Sequence, residues 1–287
     1  MQDKTLYDTI EMKQKSERMN TMYEALYAPI PDAEAYARRI GAPWPITPDL
    51  PTLDQILYAH QRNVPFENLE PYAKGVVPSL EIPALFDKLV TRRRGGYCFE
   101  VNALMTSFLQ AVGYEAWSVS CRILRGKDFI PPMLHRGILV RLDGQRYYCD
   151  VGYGGPQPAG AVPLGGQRTL CGETFLCEAR ADEWWGLDRI TSQGVREKVF
   201  EFWTFPLPAS YFLPNNFYSG SSPESVFTQK RYLNLRTAHG SLALTGDTLT
   251  EHRDGQVLTE TVDTPEAVRQ VVSERFGLDL PDEELGL

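Results

Sequence analysis

Long apolar runs are missing from this chain. No stretch of about 18 residues stays apolar, so no membrane-spanning helix is expected, and the opening residues Met1 to Tyr7 lack the apolar core of a signal peptide. An excess of positive charge is missing too. With 29 Lys and Arg against 37 Asp and Glu, a net charge of −8 and a pI near 5.2, the surface argues against nucleic acid as a partner, because phosphate binding needs a basic face. Histidine is scarce: His60, His135, His239 and His252 are the whole supply of imidazole bases. The five cysteines, Cys98, Cys121, Cys149, Cys171 and Cys177, are odd in number and form no Cys-x-x-Cys pair, so neither a disulfide framework nor a metal site is expected. Free thiols imply a reducing compartment, the cytoplasm. Internal repeats and low-complexity tracts are absent.

What remains, with 43% hydrophobic and 23% charged residues, is the composition of an ordinary globular protein long enough for a substantial core. Residues 1–28 carry Leu6, Ile10, Met12, Met19, Met22 and Leu26 at loosely helical spacing, ended by Pro29 and Pro31, and read as an N-terminal extension. Residues 29–114 read as a helical domain, with helices capped by Asp32 and stopped by Gly41, over 52–62, over 79–90 and over 98–112. After Gly113 the pattern alternates, and 115–204 reads as a β domain. Residues 205–287 read as mixed α/β: strands at 225–227, 232–236 and 240–244, a closing helix from Thr264 to Phe276, and a linker or lid-like connection at 205–216 marked by Pro206, Pro208 and Pro214.

The chemistry concentrates where a cationic, glycine-bearing loop, Arg92 to Gly96, meets an apolar helical run through Tyr97, Cys98, Phe99 and Glu100. The spacing puts Cys98 in the first turn of a helix, where unpaired N–H groups and the positive end of the helix dipole favour a thiolate. Arg94 and its basic neighbours push the same way. A nucleophile needs a base, and His135 opens a strand-like run that turns at Asp143-Gly144 into a second strand ending at Asp150. Pairing across that turn lets Asp150 hold one ring nitrogen of His135 while Cys98 takes the other, an arrangement of nucleophile, base and orienting carboxylate. Cys121 and Cys149 read as inert core thiols, His60 as a packed helix residue, and His239 and His252 as solvent-facing. Gly152, Gly154 and Gly155 follow Asp150 in a loop whose backbone N–H groups suit the phosphates of a ligand.

Arg94-Gly95-Gly96-Tyr97-Cys98-Phe99-Glu100, then His135, then Asp150 within Asp150-Val151-Gly152-Tyr153-Gly154-Gly155, with Val64-Pro65-Phe66-Glu67-Asn68-Leu69 upstream, resembles the arylamine N-acetyltransferase family over about residues 30–280. The resemblance implies an α+β fold with a cysteine-protease-like core: an N-terminal helical bundle, a central antiparallel β-barrel and a C-terminal α/β lid. It implies acetyl-CoA or another acyl thioester as co-substrate with no permanently bound cofactor, and an aromatic amine or hydrazine as acceptor. It also implies pairing of Glu67 with Arg94, and an acceptor pocket lined by Phe66, Ile123, Tyr153 and Phe217. Two departures stand out, Leu134 where the family commonly has threonine and Tyr153 where phenylalanine is frequent. Leu134 and the N-terminal extension would fit an alternative, an amide synthase of the same fold that takes a long acyl chain from an acyl carrier protein. A transglutaminase-like or papain-like cysteine enzyme shares the chain order Cys, His, Asp.

Overall fold

Gly113 is the seam between two textures. In the computed structural model, which describes residues 23–181, 183–191 and 193–287, the chain before the seam is helical apart from one short strand. α1 (Ala33–Ile40) begins where the Asp32 carboxylate accepts the Ala35 N–H and ends at Gly41 in the left-handed region. α2 (Leu50–Asn63) is capped in the same way by Asp49. After β1 (Phe66–Glu67) come α3 (Leu69–Lys74), α4 (Ile82–Phe86) and α5 (Cys98–Ala111). Every residue of α5 from Cys98 to Leu109 is buried. A helix with no polar stripe cannot lie on a surface, and α5 is accordingly enclosed by α1, α2, α4 and the following sheet.

Beyond the seam lie β2 (Glu115–Ile123), β3 (His135–Leu142), β4 (Gln145–Cys149), β5 (Val162–Pro163), β6 (Gly166–Leu170), β7 (Glu173–Ala179), β8 (Trp184–Ile190) and β9 (Arg196–Trp203). They form one antiparallel sheet ordered β5-β4-β3-β2-β9-β8-β7-β6. The two end strands β5 and β6 are joined by the short turn at Leu164 and Gly165, so the sheet nearly closes on itself around Val119, Cys121, Leu139, Tyr148, Phe175, Leu187, Phe200 and Phe202. The β3–β4 turn is made by Asp143 and Gly144, both at positive φ, and fixes the register in which Ile138 faces Cys149. That register carries His135 and the residues just after β4 to the same end of the barrel.

A second antiparallel sheet, β1-β10-β11-β12-β13, is built from β10 (Tyr232–Thr237), β11 (Gly240–Thr245), β12 (Thr248–Arg253) and β13 (Gln256–Thr261), with β1 from the helical half pairing Phe66 with Asn234. The helix Pro265–Phe276, capped by Thr264 and stopped by Gly277, covers one face through Val268, Val272 and Phe276. The α+β class with an antiparallel barrel is thus as the sequence led one to expect.

Some local expectations are corrected. Residues 225–227 are not a strand: Ser225 caps a short helix, α7 (Val226–Gln229), its hydroxyl accepting the Phe227 N–H. The proline-marked stretch is not merely a linker, because α6 (Phe212–Ser221) starts inside it. Pro214 sits in the first turn, where a missing N–H removes no helical bond. The strands at 166–170 and 184–190 are additions to the sequence reading. Of the N-terminal extension, Leu6 through Met22 lie outside the described residues, and Leu26 is buried in a 3₁₀ turn.

Candidate active site

Cys98 is the first residue of α5, 3% exposed, with extended Tyr97 before it. Glu100 organises this helix start: one carboxylate oxygen accepts the Tyr97 N–H at 3.1 Å, the other takes Lys88 Nζ at 2.6 Å. Lys88 also reaches Glu70 at 2.8 Å. Burial would lower the Lys88 pKa, but the carboxylates of Glu100, Glu67 and Glu70 hold it above its ordinary value. On the loop before Cys98, Arg94 donates to Glu67 Oε1 through Nε (3.1 Å) and Nη2 (2.9 Å) and pairs with Glu284 from the C-terminal turn. The Glu67–Arg94 pair is therefore present. The Arg94 charge is shared with two carboxylates, and Arg92 and Arg93 are exposed. Besides His135, the buried cation that interacts with Cys98 is Arg136. Its guanidinium bonds Ser118 Oγ at 2.9 and 2.8 Å, lies 4.4 Å from the Phe212 ring centre and has no carboxylate partner among the described residues. Burial pulls its pKa down to about 9 while Cys98 opposes that shift.

His135 and Asp150 are fully enclosed, 1% and 0% exposed. His135 Nε2 lies 2.5 Å from Asp150 Oδ2, which leaves Nδ1 as the nitrogen for Cys98. Asp150 itself is held on both oxygens. Oδ1 accepts from Asn102 Nδ2 (3.0 Å) and the Gly152 N–H (2.8 Å), and Oδ2 accepts from the Tyr148 hydroxyl (2.9 Å). Asn102 stands one turn beyond Cys98 on α5 and also accepts the Val151 N–H, so a single side chain ties the helix to the segment bearing Asp150. Phe200 from β9 stacks on the imidazole at 4.7 Å with planes only 4° apart. Burial alone would lower the His135 pKa; the Asp150 charge and hydrogen bond, with Cys98 adding to them, raise it to about 10. The same contact, with Asn102 and Gly152, holds the Asp150 carboxyl below its usual range against its burial. The Asp150 carboxylate therefore favours the doubly protonated form of the His135 ring.

The remaining predicted residues divide. Phe66 packs into the cluster that contains Cys98, Tyr97 and Phe212. Tyr153 meets the His135 ring edge-on at 5.8 Å, and Ile123 is paired in register with Phe200. Phe217 is not brought to these groups: it is 64% exposed and lines a separate cavity of about 520 Å³ with Leu26, Val77, Leu80 and Leu213. Five residues of helix separate it from buried Phe212, a rotation of about 140°, so inward placement of one turns the other out. Of the glycines, Gly152 packs so close that an added Cβ would lie 2.9 Å from the Cys98 Cα, and its N–H is committed to Asp150. Gly154 lies against the Phe66 ring and Gly155 against Tyr153. Sequence reading missed Asn102, Tyr148, Phe200 and Arg136. Only Asn102 left a trace, a polar residue one helical turn from Cys98 in an apolar run. Among the described residues no group of three or more His, Cys, Asp or Glu is placed to hold a metal, and no helix is long and apolar enough to cross a membrane.

Residues 49–285 match the profile of a family described as N-acetyltransferase. The chain is 33% identical over 258 residues to the arylamine N-acetyltransferase of Mycolicibacterium smegmatis, covering 88% of this chain and 93% of that one, and 32% identical to arylamine N-acetyltransferase 1 of Homo sapiens, covering 77% and 83%. Its fold superposes on the Mycobacterium marinum arylamine N-acetyltransferase in complex with CoA with a TM-score of 0.82 at 27% identity, over 89% of this chain and 97% of that one. These relatives favour neither the carrier-dependent amide synthase nor the peptidase-like alternative. A cysteine opening a buried helix, an imidazole held by a carboxylate at the barrel's end and these likenesses over nearly the whole chain agree, and the chain belongs to the arylamine N-acetyltransferase family.

Proposed function

We propose that this protein transfers an acetyl group from acetyl-CoA to an aromatic amine or hydrazine by way of a thioester on Cys98, with His135 as acid and base and Asp150 as its orienter. The observation that carries the reading is the convergence on one imidazole: Asp150 bonds Nε2, the other ring nitrogen is left for Cys98, and the carboxylate favours the doubly protonated ring. In the first half-reaction the Cys98 sulfur bonds the acetyl carbonyl carbon, the carbon–sulfur bond to CoA breaks, and the His135 proton passes to the departing CoA sulfur. In the second, the amine nitrogen bonds the same carbon, His135 takes an amine proton, and Cys98 leaves as thiolate, which restores the starting pair. An arylamine suits this step because it is neutral at pH 7. Backbone N–H groups at the start of α5 would hold the oxyanion.

Phe66, Ile123 and Tyr153 would border the acceptor, and the Gly154 and Gly155 N–H groups, which have no acceptor among the described residues, would meet the CoA phosphates. Glu67 and Arg94 would hold the loop before Cys98 rigid. The five unpaired cysteines suit the reducing cytoplasm. Intact-mass measurement after mixing with acetyl-CoA tests the reading: one acetyl adduct is expected, released by an arylamine and absent from Cys98→Ser. An adduct formed only with carrier-bound acyl chains, or hydrolysis of peptides without any thioester, would overturn it.

A further inference from the structure

We propose that Tyr148 is a positioning residue for acyl transfer: its buried hydroxyl holds the Asp150 oxygen that orients His135 and draws off part of that oxygen's negative charge. The proposal rests on the roles given above to Cys98, His135 and Asp150.

Tyr148 lies in β4 two residues before Asp150, and its hydroxyl reaches Oδ2 at 2.9 Å, the same oxygen that meets His135 Nε2 at 2.5 Å. The side chain is fully buried among Phe200, Phe202 and other apolar barrel residues. Packing there would be served equally by phenylalanine, and an unbonded hydroxyl in such a place is costly. The barrel makes room for the hydroxyl in particular. On the facing strand the residue two beyond His135 is Gly137, where a Cβ would lie 2.8 Å from the Tyr148 oxygen and 3.0 Å from Cys121 Sγ. Besides the carboxylate, the Cys121 sulfur is the one hydrogen-bonding group near the hydroxyl among the described residues, at 3.7 Å. Burial and the Asp150 charge keep the phenol protonated, so it serves as a donor.

Two donors on one oxygen compete for its charge. Asn102 and Gly152 fix Oδ1; Tyr148 fixes Oδ2 and limits how strongly that oxygen favours the doubly protonated imidazole. Without the hydroxyl, Oδ2 would bind the His135 proton more tightly. The imidazolium would become a weaker acid and would return its proton to the CoA sulfur more slowly.

The test is Tyr148→Phe in the full-length enzyme, followed through the pH dependence of kcat and kcat/KM with acetyl-CoA and an arylamine. The expected result is a fall in kcat of about tenfold, KM for the amine within about twofold, and an alkaline limb moved upward by about half a pH unit or more. Incorporation of 3-fluorotyrosine at position 148, a stronger donor of nearly the same size, should move that limb downward, and it carries the test alone if the Phe variant does not fold. Cys121→Ala, which leaves the Tyr148–Asp150 bond in place, should keep the wild-type limb. Unchanged kcat and an unmoved limb in Tyr148→Phe, or an unmoved limb with fluorotyrosine where the Phe variant fails to fold, would overturn the proposal while leaving the site's reading intact, provided Cys98→Ser and Asp150→Asn are inactive. Near-normal turnover by those two would remove the reading itself.

Discussion

Two histidines of this chain are equally buried, and the fold has driven them in opposite directions. His60, on α2 in the helical half, has Nδ1 2.8 Å from the Tyr36 hydroxyl, and its Nε2 has no partner. Burial, with the Arg39 charge in support, lowers its pKa to about 3, so it is a neutral piece of core. His135, at the end of the barrel, meets a carboxylate instead of a phenol, and its pKa rises to about 10. The enclosure is common to both; the charge of the partner makes one ring inert and the other a proton carrier.

Asp150→Asn would break that contrast most sharply, since it gives His135 a neutral partner like that of His60. Turnover should fall on the order of 10³- to 10⁴-fold with the fold retained, as circular dichroism alongside kinetics would show, and the His135 pKa should drop below 6.5. A near-normal rate would remove Asp150 from the mechanism. Glu67→Ala asks whether a buried charge elsewhere depends as heavily on its partner: Arg94 would keep only Glu284, and the denaturant midpoint should report a loss of about 3–5 kcal/mol. Tyr36→Phe strips His60 of its one hydrogen bond, and a loss of about 1–3 kcal/mol is expected with activity per folded molecule unchanged.

The pH dependence of stability sharpens the comparison with smaller effects. The folded His135 pKa lies above its unfolded value near 6.5, so its contribution is complete below about 6.5 and is lost as pH rises through 10. For His60 the folded value lies below, so its contribution is complete above 6.5 and is lost as pH falls through 3. Thermal melts across pH should therefore fall on both flanks. Asp150→Asn should flatten the alkaline flank, with its own depressed carboxyl also leaving the acid flank, and His60→Leu should flatten the acid flank alone. An unchanged alkaline flank in Asp150→Asn, or a changed alkaline flank in His60→Leu, would contradict the assignment.

The nucleophile's helix, its caps and the hairpin were legible in the chain because each is a local matter. Gly113 stops an apolar run, Asp143-Gly144 turns a strand, and Asp32, Thr264, Gly41 and Gly277 mark helix ends through bonds to near neighbours. Phe217 shows where that legibility failed, because its helix turned it outward, and Glu284, which lies far along the chain, joins the expected Glu67–Arg94 pair without any local signal. Arg136 gave no signal beyond a strand residue beside His135, yet it is a buried cation that interacts with Cys98 and has no carboxylate partner among the described residues.

By itself, then, the sequence determined that Cys98 heads a helix, that His135 and Asp150 flank one hairpin, and that the chain is helical before Gly113 and β-rich after it. These follow from hydrogen bonds and side-chain periods spanning a few residues. Only the tertiary structure decided which imidazole would meet a carboxylate, that Phe200 would clamp it, that Asn102 and Tyr148 would share the Asp150 carboxylate, and that Arg136 would be buried where it interacts with Cys98. Electrostatic effects depend on distance through space and on the exclusion of water, and both are fixed only when the barrel closes against α5.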